Sequence, residues 1–144
     1  MDGHLPRLGR MFGDAYELWQ RATYDGLARD GFAGIRPAHS PIFRHLGPEG
    51  ARISDLAAKA GIAKQSMAYL VNALCDAGYL SIEDDPQDGR ARLVKLTAQG
   101  MQAEAHLAKR SRAFEARMLD ALGAARLAEL KSLVADLLDA TRGQ

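Results

Sequence analysis

Polar side chains of the kind that contact nucleic acids cluster between residues 64 and 72. Lys64, Gln65 and Asn72 can hydrogen-bond to nucleobase edges or phosphates, and the small Ala68 allows close approach or contact with a thymine methyl group. Apolar residues at i, i+3, i+4 and i+7 predict a helix whose buried face holds Met67, Leu70, Val71 and Leu74. The outward face then presents the candidate DNA contacts, which are Lys64, Gln65, Ser66, Ala68, Tyr69 and Asn72.

Arg90 is the second candidate contact with nucleic acid. Gly89 and Ala91 flank it, so little bulk would impede insertion of its guanidinium into a minor groove. Asp88, two residues earlier, is predicted to orient this guanidinium, and Arg92 is expected to lie nearer to the phosphates.

Two side chains near these candidates have a structural interpretation beside a functional one. Tyr69 is amphipathic, so packing on a neighbouring helix and contact with DNA both remain open. Cys75 follows Leu74 near the end of the same helix, which favours a buried, inert thiol over a redox-active one.

Aromatic side chains form a third group, near the N-terminus. Each of them alone is explained by an ordinary core or interface position. Together they predict a cleft for a small aromatic or phenolic effector where the first two helices meet the central lobe. The group consists of Tyr16, Trp19, Tyr24, Phe32, His39 and Phe43.

The sequence offers little for catalysis or metal binding. Cys75 has no His nearby in the sequence, and Gly-rich phosphate loops and paired-carboxylate motifs are missing. The four histidines (His4, His39, His45 and His106) lack the spacing of a metal site. We therefore expect no enzymatic activity, no cofactor and no metal.

The central elements must position these candidates. Periodicity predicts a helix over Ile53–Ala60 with Ser54 as its N-cap, a tight turn at Gly61 and a helix over residues 64–77. Alternating apolar residues then predict two strands joined by a long polar tip at Asp84–Ala91. Helix, turn, helix and hairpin in this order predict a winged helix-turn-helix, which we place at residues 36–97.

Helices are predicted on both sides of this lobe. Residues 4–30 carry one amphipathic stripe, a short helix covers about Ala38–Leu46, and residues 98–141 form two helices divided near Gly123. The apolar stripes at 8–22 and 127–138 exceed what a small lobe can cover, so the terminal helices are expected to form a homodimer. The predicted fold is mostly α with a small antiparallel β-hairpin wing, as one domain spanning residues 1–144.

Composition sets the remaining limits. The chain has 144 residues, 47% of them hydrophobic, and a formal net charge of +1. Residues 36–100 hold eight Lys and Arg against seven Asp and Glu, so DNA binding would depend on where the charges lie. No leader-like segment and no long apolar run is evident, so we expect a cytoplasmic protein without membrane contact.

The central motifs resemble the MarR family. The resemblance rests on Ile53-Ser54-Asp55-Leu56-Ala57, Lys64-Gln65-Ser66-Met67, Gly78-Tyr79-Leu80, Asp85-Pro86-Gln87-Asp88-Gly89-Arg90 and Leu96-Thr97-Ala98-Gln99-Gly100. It implies a dimer that binds palindromic operators, repression relieved by a ligand, and DNA-contacting roles for Asp88 and Arg90. Two positions depart from the family pattern: Ala63 replaces a capping Ser or Thr, and Tyr69 replaces an Arg, which bears on base preference and affinity.

These observations predict a homodimeric, sequence-specific DNA-binding regulator, a repressor that responds to a ligand. One alternative is a winged-helix activator or architectural protein that responds to no ligand. Another is a protein–protein interaction module without DNA binding, which the near-neutral charge of residues 36–100 favours and the presence of Lys64 and Arg90 disfavours.

Overall fold

The computed structural model describes residues 5–142, so His4, the first residue of the predicted N-terminal segment, lies outside the described part. It confirms a mostly helical fold with one antiparallel hairpin. The elements are α1 (Leu8–Tyr24), a short 3-10 helix (Pro37–His39), α2 (Ser40–His45), α3 (Ile53–Ala60), α4 (Lys64–Asp76), β1 (Leu80–Asp85), β2 (Asp88–Leu96), α5 (Ala98–Leu122) and α6 (Ala124–Arg142).

The core of the central lobe is built by the apolar faces of α3 and α4. Leu56 of α3 and three residues of α4 are fully buried, as the helical spacing predicts. Gly61 has the left-handed conformation (φ 69°) and ends α3, so the chain can turn into α4 after two further residues. The fully buried apolar side chains of the lobe are Ile42, Leu56, Met67, Val71, Leu74 and Val94.

The N-cap of α3 differs from the prediction. The helix begins at Ile53 and its N-cap is Arg52, without a side-chain cap, so Ser54 lies inside the first turn and is not the N-cap. Backbone pairing explains why the N-cap lies two residues before Ser54. Ala51 exchanges two hydrogen bonds with Val94 of β2 (3.1 and 2.8 Å), and the Arg52 carbonyl already accepts from the helical amide of Leu56.

The hairpin, which we call the wing, has a tighter tip than expected. β1 and β2 pair from Leu80 opposite Leu96 to Asp84 opposite Arg92, and strand pairing continues to Asp85 and Asp88. Only Pro86 and Gln87 therefore form the turn, and the predicted eight-residue polar tip is wrong in extent. The Asp85 carboxylate accepts a hydrogen bond from the Gln87 amide (2.9 Å), which stabilises this short turn.

The junction between the wing and α5 explains the Leu-Thr-x-x-Gly motif. The Thr97 hydroxyl donates to the carbonyl of Gly78 (2.6 Å) and accepts from the amide of Gly100 (3.0 Å), so it caps α5 and ties the helix to the start of β1. Gly100 packs directly under the carbonyl of Tyr79, where a side chain would collide with backbone.

The outer helices leave much apolar surface uncovered. α1 packs along α5 and ends at Tyr24 rather than near residue 30, because turns containing Gly26 and Gly31 with positive φ follow. On α6 only Leu127 is buried. The large apolar side chains exposed on α1 and α6 are Leu8, Met11, Phe12, Tyr16, Leu18, Leu130, Leu133, Val134, Leu137 and Leu138.

Within residues 5–142, no helix combines the length and the apolar character that spanning a membrane requires.

Candidate nucleic-acid interface

The outward face of α4 is open to solvent. Lys64, Gln65, Ser66 and Asn72 are exposed, and Tyr69 keeps 70% of its surface accessible, so packing on another helix of the same chain does not account for it. Ala68 is half-buried between them. The predicted face therefore exists as one polar surface whose backbone is held by the buried Met67, Val71 and Leu74.

A groove lined by cations joins this face to the wing. Its volume is about 370 Å³, and we call it the cationic groove. Arg52, Lys64, Arg90 and Arg92 all line it, and among the described residues no carboxylate does. Its complete lining is Arg52, Ile53, Ser54, Lys64, Arg90, Ala91 and Arg92.

Two helix N-termini also open on the cationic groove. Ile53 and Ser54 begin α3, and Lys64 begins α4, whose first turn holds no acidic residue. Free amides and the aligned peptide dipoles at a helix N-terminus favour anions such as phosphate. The groove thus combines side-chain and backbone features that suit a polyanion.

Asp88 acts on the backbone of the wing rather than on the guanidinium of Arg90. Its Oδ1 accepts from the Arg90 amide (3.1 Å), and its Oδ2 lies 3.7 Å from Nη2 of Arg52. The expected orientation of the Arg90 side chain by Asp88 is therefore corrected to a backbone contact. The Arg92 guanidinium lies 3.9 Å from Asp84 on the opposite strand, and both side chains are exposed.

Arg52 is the member of the groove that the sequence prediction missed. Its Nη2 donates to Oδ2 of Asp85 at 2.9 Å, which raises the pKa of the guanidinium. The pKa of Asp85 is lowered, first by the Gln87 amide and then by Arg52. The two residues are 33 positions apart and meet because Ala51 pairs with Val94, so no local sequence signal indicates their contact.

Three of the six residues of the aromatic group line a common cavity of about 200 Å³. They are Trp19, Tyr24 and Phe43, and α5 forms the facing wall with Glu104, Leu107, Ala108 and Ser111. Tyr16 lies beside the cavity, stacked on Trp19 with ring centroids 5.5 Å apart. Its hydroxyl accepts from Arg44 (3.2 Å) and lies 3.2 Å from the hydroxyl of Ser40.

His39 does not line this cavity. It is fully buried, its Nδ1 accepts from the Arg36 amide (3.0 Å), and burial followed by the charge of Arg36 lowers its pKa. Phe32, the sixth aromatic-group member, packs against His106 instead, with the two ring centroids 5.0 Å apart and the planes tilted by 31°. These two side chains therefore support the fold around the N-terminal helices.

The cavity holds one polar group without a partner. Thr23 is buried, lines the cavity, and its hydroxyl has no hydrogen-bond partner within residues 5–142. Trp19 Nε1 donates to the Ser111 hydroxyl (3.0 Å) and so links α1 to α5. Burial also raises the pKa of Tyr24 to about 12, so this phenol is neutral.

Cys75 is half-buried, and burial followed by the charge of Asp76 raises the pKa of its thiol, which disfavours the reactive thiolate. In the described part of the chain, no group of three or more His, Cys, Asp or Glu side chains is arranged to hold a metal ion.

Comparison with known proteins finds a matching family model and similar folds. Residues 33–91 match the model of the MarR family. A search of curated proteins finds no match to the chain.

Solved structures extend the likeness to the flanking helices. A MarR transcriptional regulator from Methanosarcina mazei Go1 is 20% identical with a TM-score of 0.78, over 94% of this chain and 96% of that one. The apo form of wild-type MarR from E. coli is 18% identical with a TM-score of 0.73, over 94% and 99%. The PcaV transcriptional regulator from Streptomyces coelicolor, solved with its natural ligand, is 23% identical with a TM-score of 0.67, over 96% and 94%. The central lobe thus matches the MarR family model, and the fold of MarR regulators is shared over nearly the whole length of the chain.

Proposed function

We propose that the chain is a homodimeric regulator of transcription that binds a palindromic operator and releases it when a small aromatic ligand is bound. The observation that carries the proposal is the cationic groove, which joins the exposed face of α4 to the wing without a carboxylate in its described lining. The match of residues 33–91 to the MarR family model supports the same function.

The geometry suits simultaneous contact with both grooves of a duplex. A major groove about 12 Å wide admits one helix, and α4 offers Lys64, Gln65, Tyr69 and Asn72 to the base edges there. The wing carries Arg90 toward the neighbouring minor groove. Arg92 lines the groove between these two elements, where the phosphates would pass.

The near-neutral charge of residues 36–100 does not weigh against DNA binding. The wing carboxylates lie near cations: Asp85 bonds to Arg52 at 2.9 Å and Glu83 lies 3.2 Å from Lys95. Local potential rather than net charge determines attraction to a polyanion. The charge count of residues 36–100 thus does not by itself favour a module that binds only proteins.

The homodimer follows from the uncovered apolar side chains of α1 and α6. Contiguous apolar surface of this kind marks an interface in water-soluble chains. A two-fold dimer presents two copies of α4 and two wings, which matches the symmetry of a palindromic operator.

The ligand proposal rests on the 200 Å³ cavity between α1, α2 and α5. Its aromatic surfaces come from Trp19, Tyr24 and Phe43. The Thr23 hydroxyl has no hydrogen-bond partner within residues 5–142, and a bound ligand could supply one. Arg44 and Glu104 are the charged side chains among its described lining. A small aromatic acid with a hydroxyl group would satisfy Arg44 through its carboxylate and Glu104 through its hydroxyl.

A combined titration tests both proposals. Gel-shift assays with the DNA upstream of the chain's own gene should show a retarded complex. Salicylate-like acids should change the fluorescence of Trp19, the single tryptophan, and weaken that complex over the same concentration range. Failure to bind any duplex at low salt would favour the protein–protein module, and ligand binding without loss of DNA affinity would refute the coupling.

A further inference from the structure

We propose that Arg52 is a positioning residue of the DNA-binding surface, which holds Asp85 at the turn of the wing and thereby fixes where Arg90 lies relative to α4. The inference rests on the proposed function, because it concerns how the wing reaches DNA. It adds a residue outside both candidate contact segments and assigns it a role other than direct contact.

One guanidinium is connected to both sides of the turn. Arg52 Nη2 donates to Asp85 Oδ2 (2.9 Å) and lies 3.7 Å from Asp88 Oδ2. The other oxygens of these two carboxylates accept backbone amides, of Gln87 at 2.9 Å and of Arg90 at 3.1 Å. The position of Arg52 is therefore transmitted to the backbone of Arg90 itself.

The wing has few other attachments at this end. Its base is held by the pairing of Ala51 with Val94, but the strand register shifts between Asp84 and Asp85, next to the turn. A two-stranded hairpin is marginally stable alone, so its tip takes a fixed angle only where something holds it. Arg52, as the N-cap of α3, is anchored to the helix-turn-helix and supplies that second attachment.

Burial distinguishes this ion pair from the others of the wing. The Asp85 side chain keeps only 10% of its surface accessible, whereas Asp84 and Glu83 keep 83% and 54%. An exposed pair contributes little to a fixed geometry, but a nearly buried carboxylate that loses its cation must rearrange. Loss of the Arg52–Asp85 contact should therefore move the turn.

Arg52 also lines the cationic groove, so a direct contact with phosphate is the competing role. Asp85→Asn separates the two, since it removes a negative charge from the DNA-facing region and frees Arg52. If Arg52 simply binds phosphate, Asp85→Asn should strengthen DNA binding. If Arg52 positions the wing through Asp85, Asp85→Asn should weaken binding.

The test uses the full chain and a labelled duplex that the wild-type protein selects from a randomised pool. Fluorescence anisotropy at several salt concentrations measures Arg52→Ala, Asp85→Asn, Arg90→Ala and the two double variants with Arg90→Ala. We expect Arg52→Ala and Asp85→Asn each to weaken binding about tenfold, and no more than about twofold further once Arg90 is absent, because coupled residues are not additive.

Glu83→Gln is the matched control, since it removes one carboxylate of the wing that has no contact with Arg52 and should leave binding unchanged or slightly tighter. Tighter binding by Asp85→Asn, or additive losses of Arg52→Ala and Arg90→Ala, overturns the proposal. Circular dichroism checks that each variant is folded. If Asp85→Asn does not fold, the comparison of Arg52→Ala and Arg90→Ala with their double variant decides the proposal. A wild-type chain that enriches no duplex refutes the proposed function instead, so the two failures are distinguishable.

Discussion

At the scale of single residues, Arg90 and Gln65 should contribute to DNA binding in different ways. Arg90 is exposed on β2 beside the turn, whereas Gln65 lies in the first turn of α4. A minor-groove arginine responds to groove width and potential, so Arg90→Ala should weaken binding to selected and mutated duplexes alike, by about 1–3 kcal/mol, and flatten the salt dependence. Gln65→Ala should mainly lower the ratio of specific to non-specific affinity, because base edges are distinguishable in the major groove.

Anisotropy titrations of both variants against both duplexes, at several salt concentrations, measure this division. Lys109→Ala removes an exposed cation from α5, outside the groove lining, and serves as the control for net charge. An Arg90→Ala variant with unchanged non-specific affinity and salt slope would show that the wing does not contact DNA.

His39 makes the stability of the fold depend on pH. Its pKa in the folded chain is lowered from 6.5 by burial, so the unfolded chain binds a proton more readily. Its contribution to the free energy of unfolding is therefore complete above about pH 6.5 and is lost as the pH falls toward the folded pKa. Protonation would also remove the acceptor that Nδ1 offers to the Arg36 amide.

His39→Asn, which keeps an acceptor but does not titrate, should flatten the stability profile as the pH falls below about 6.5. Urea unfolding across this range measures the effect. His106→Gln is the comparison variant, because it removes a histidine that is partly accessible and contacts Asp30 at 2.8 Å. Its profile shows what the loss of a histidine outside the core does to the stability. An identical slope in wild type and His39→Asn would contradict the assignment.

Residue types and spacing predicted the exposed face of α4 but not the network behind the wing. The positions of Lys64, Gln65 and Asn72 follow from helical periodicity, which is a local property. Arg52 and Asp85 meet only through the pairing of distant strands, and the role of Asp88 depends on a turn shorter than composition suggests. Contacts between residues that are distant in the chain cannot be predicted from local periodicity or composition.

At the scale of elements, the start of α5 tolerates only glycine at residue 100. A Cβ at Gly100 would collide with the carbonyl of Tyr79, and both lie at the junction between the wing and α5. Gly100→Ala should therefore lower the free energy of unfolding by about 1–3 kcal/mol, as overpacking does elsewhere.

Denaturant unfolding followed by circular dichroism tests this expectation. Gly89→Ala is the control, because its Cβ would meet no atom within 4 Å, and its stability should stay within about 0.5 kcal/mol of wild type. Equal stability of the two variants would mean that α5 can shift away from β1 without cost.

Element types were predicted better than element ends. Apolar periodicity placed α3, α4 and the hairpin, and Gly61 and Gly123 marked the correct helix ends. α1 ends before residue 30 because the residues after Tyr24 form turns that burial of Leu27 stabilises. Ser54 is not the N-cap because strand pairing at Ala51 brings the chain into the helix two residues earlier, at an Arg52 N-cap.

At the scale of the whole molecule, assembly is the property most open to test. Analytical ultracentrifugation at micromolar concentration should give a mass close to twice that of one chain, since the apolar faces of α1 and α6 need a partner. Leu137→Glu places a charge on that face and should shift the population toward monomer while preserving helical content.

Ser132→Glu on the same helix is the control for one added negative charge, since Ser132 is exposed and contributes no large apolar surface. A wild-type chain that sediments as a monomer, or an unchanged mass for Leu137→Glu, would contradict the assignment of these helices to a dimer.

The continuity of α5 has a mechanical consequence. Thr97 caps the helix and ties it to the wing, and residues 104–111 of the helix contribute a wall of the aromatic cavity. At a rise of 1.5 Å per residue, this wall lies about 10–21 Å along the axis from Thr97. Because the helix is continuous, a tilt of a few degrees about the cavity would displace its N-terminal end, at Thr97, by about 1 Å. A displacement of that size is enough to take a side chain out of hydrogen-bonding distance of a base edge.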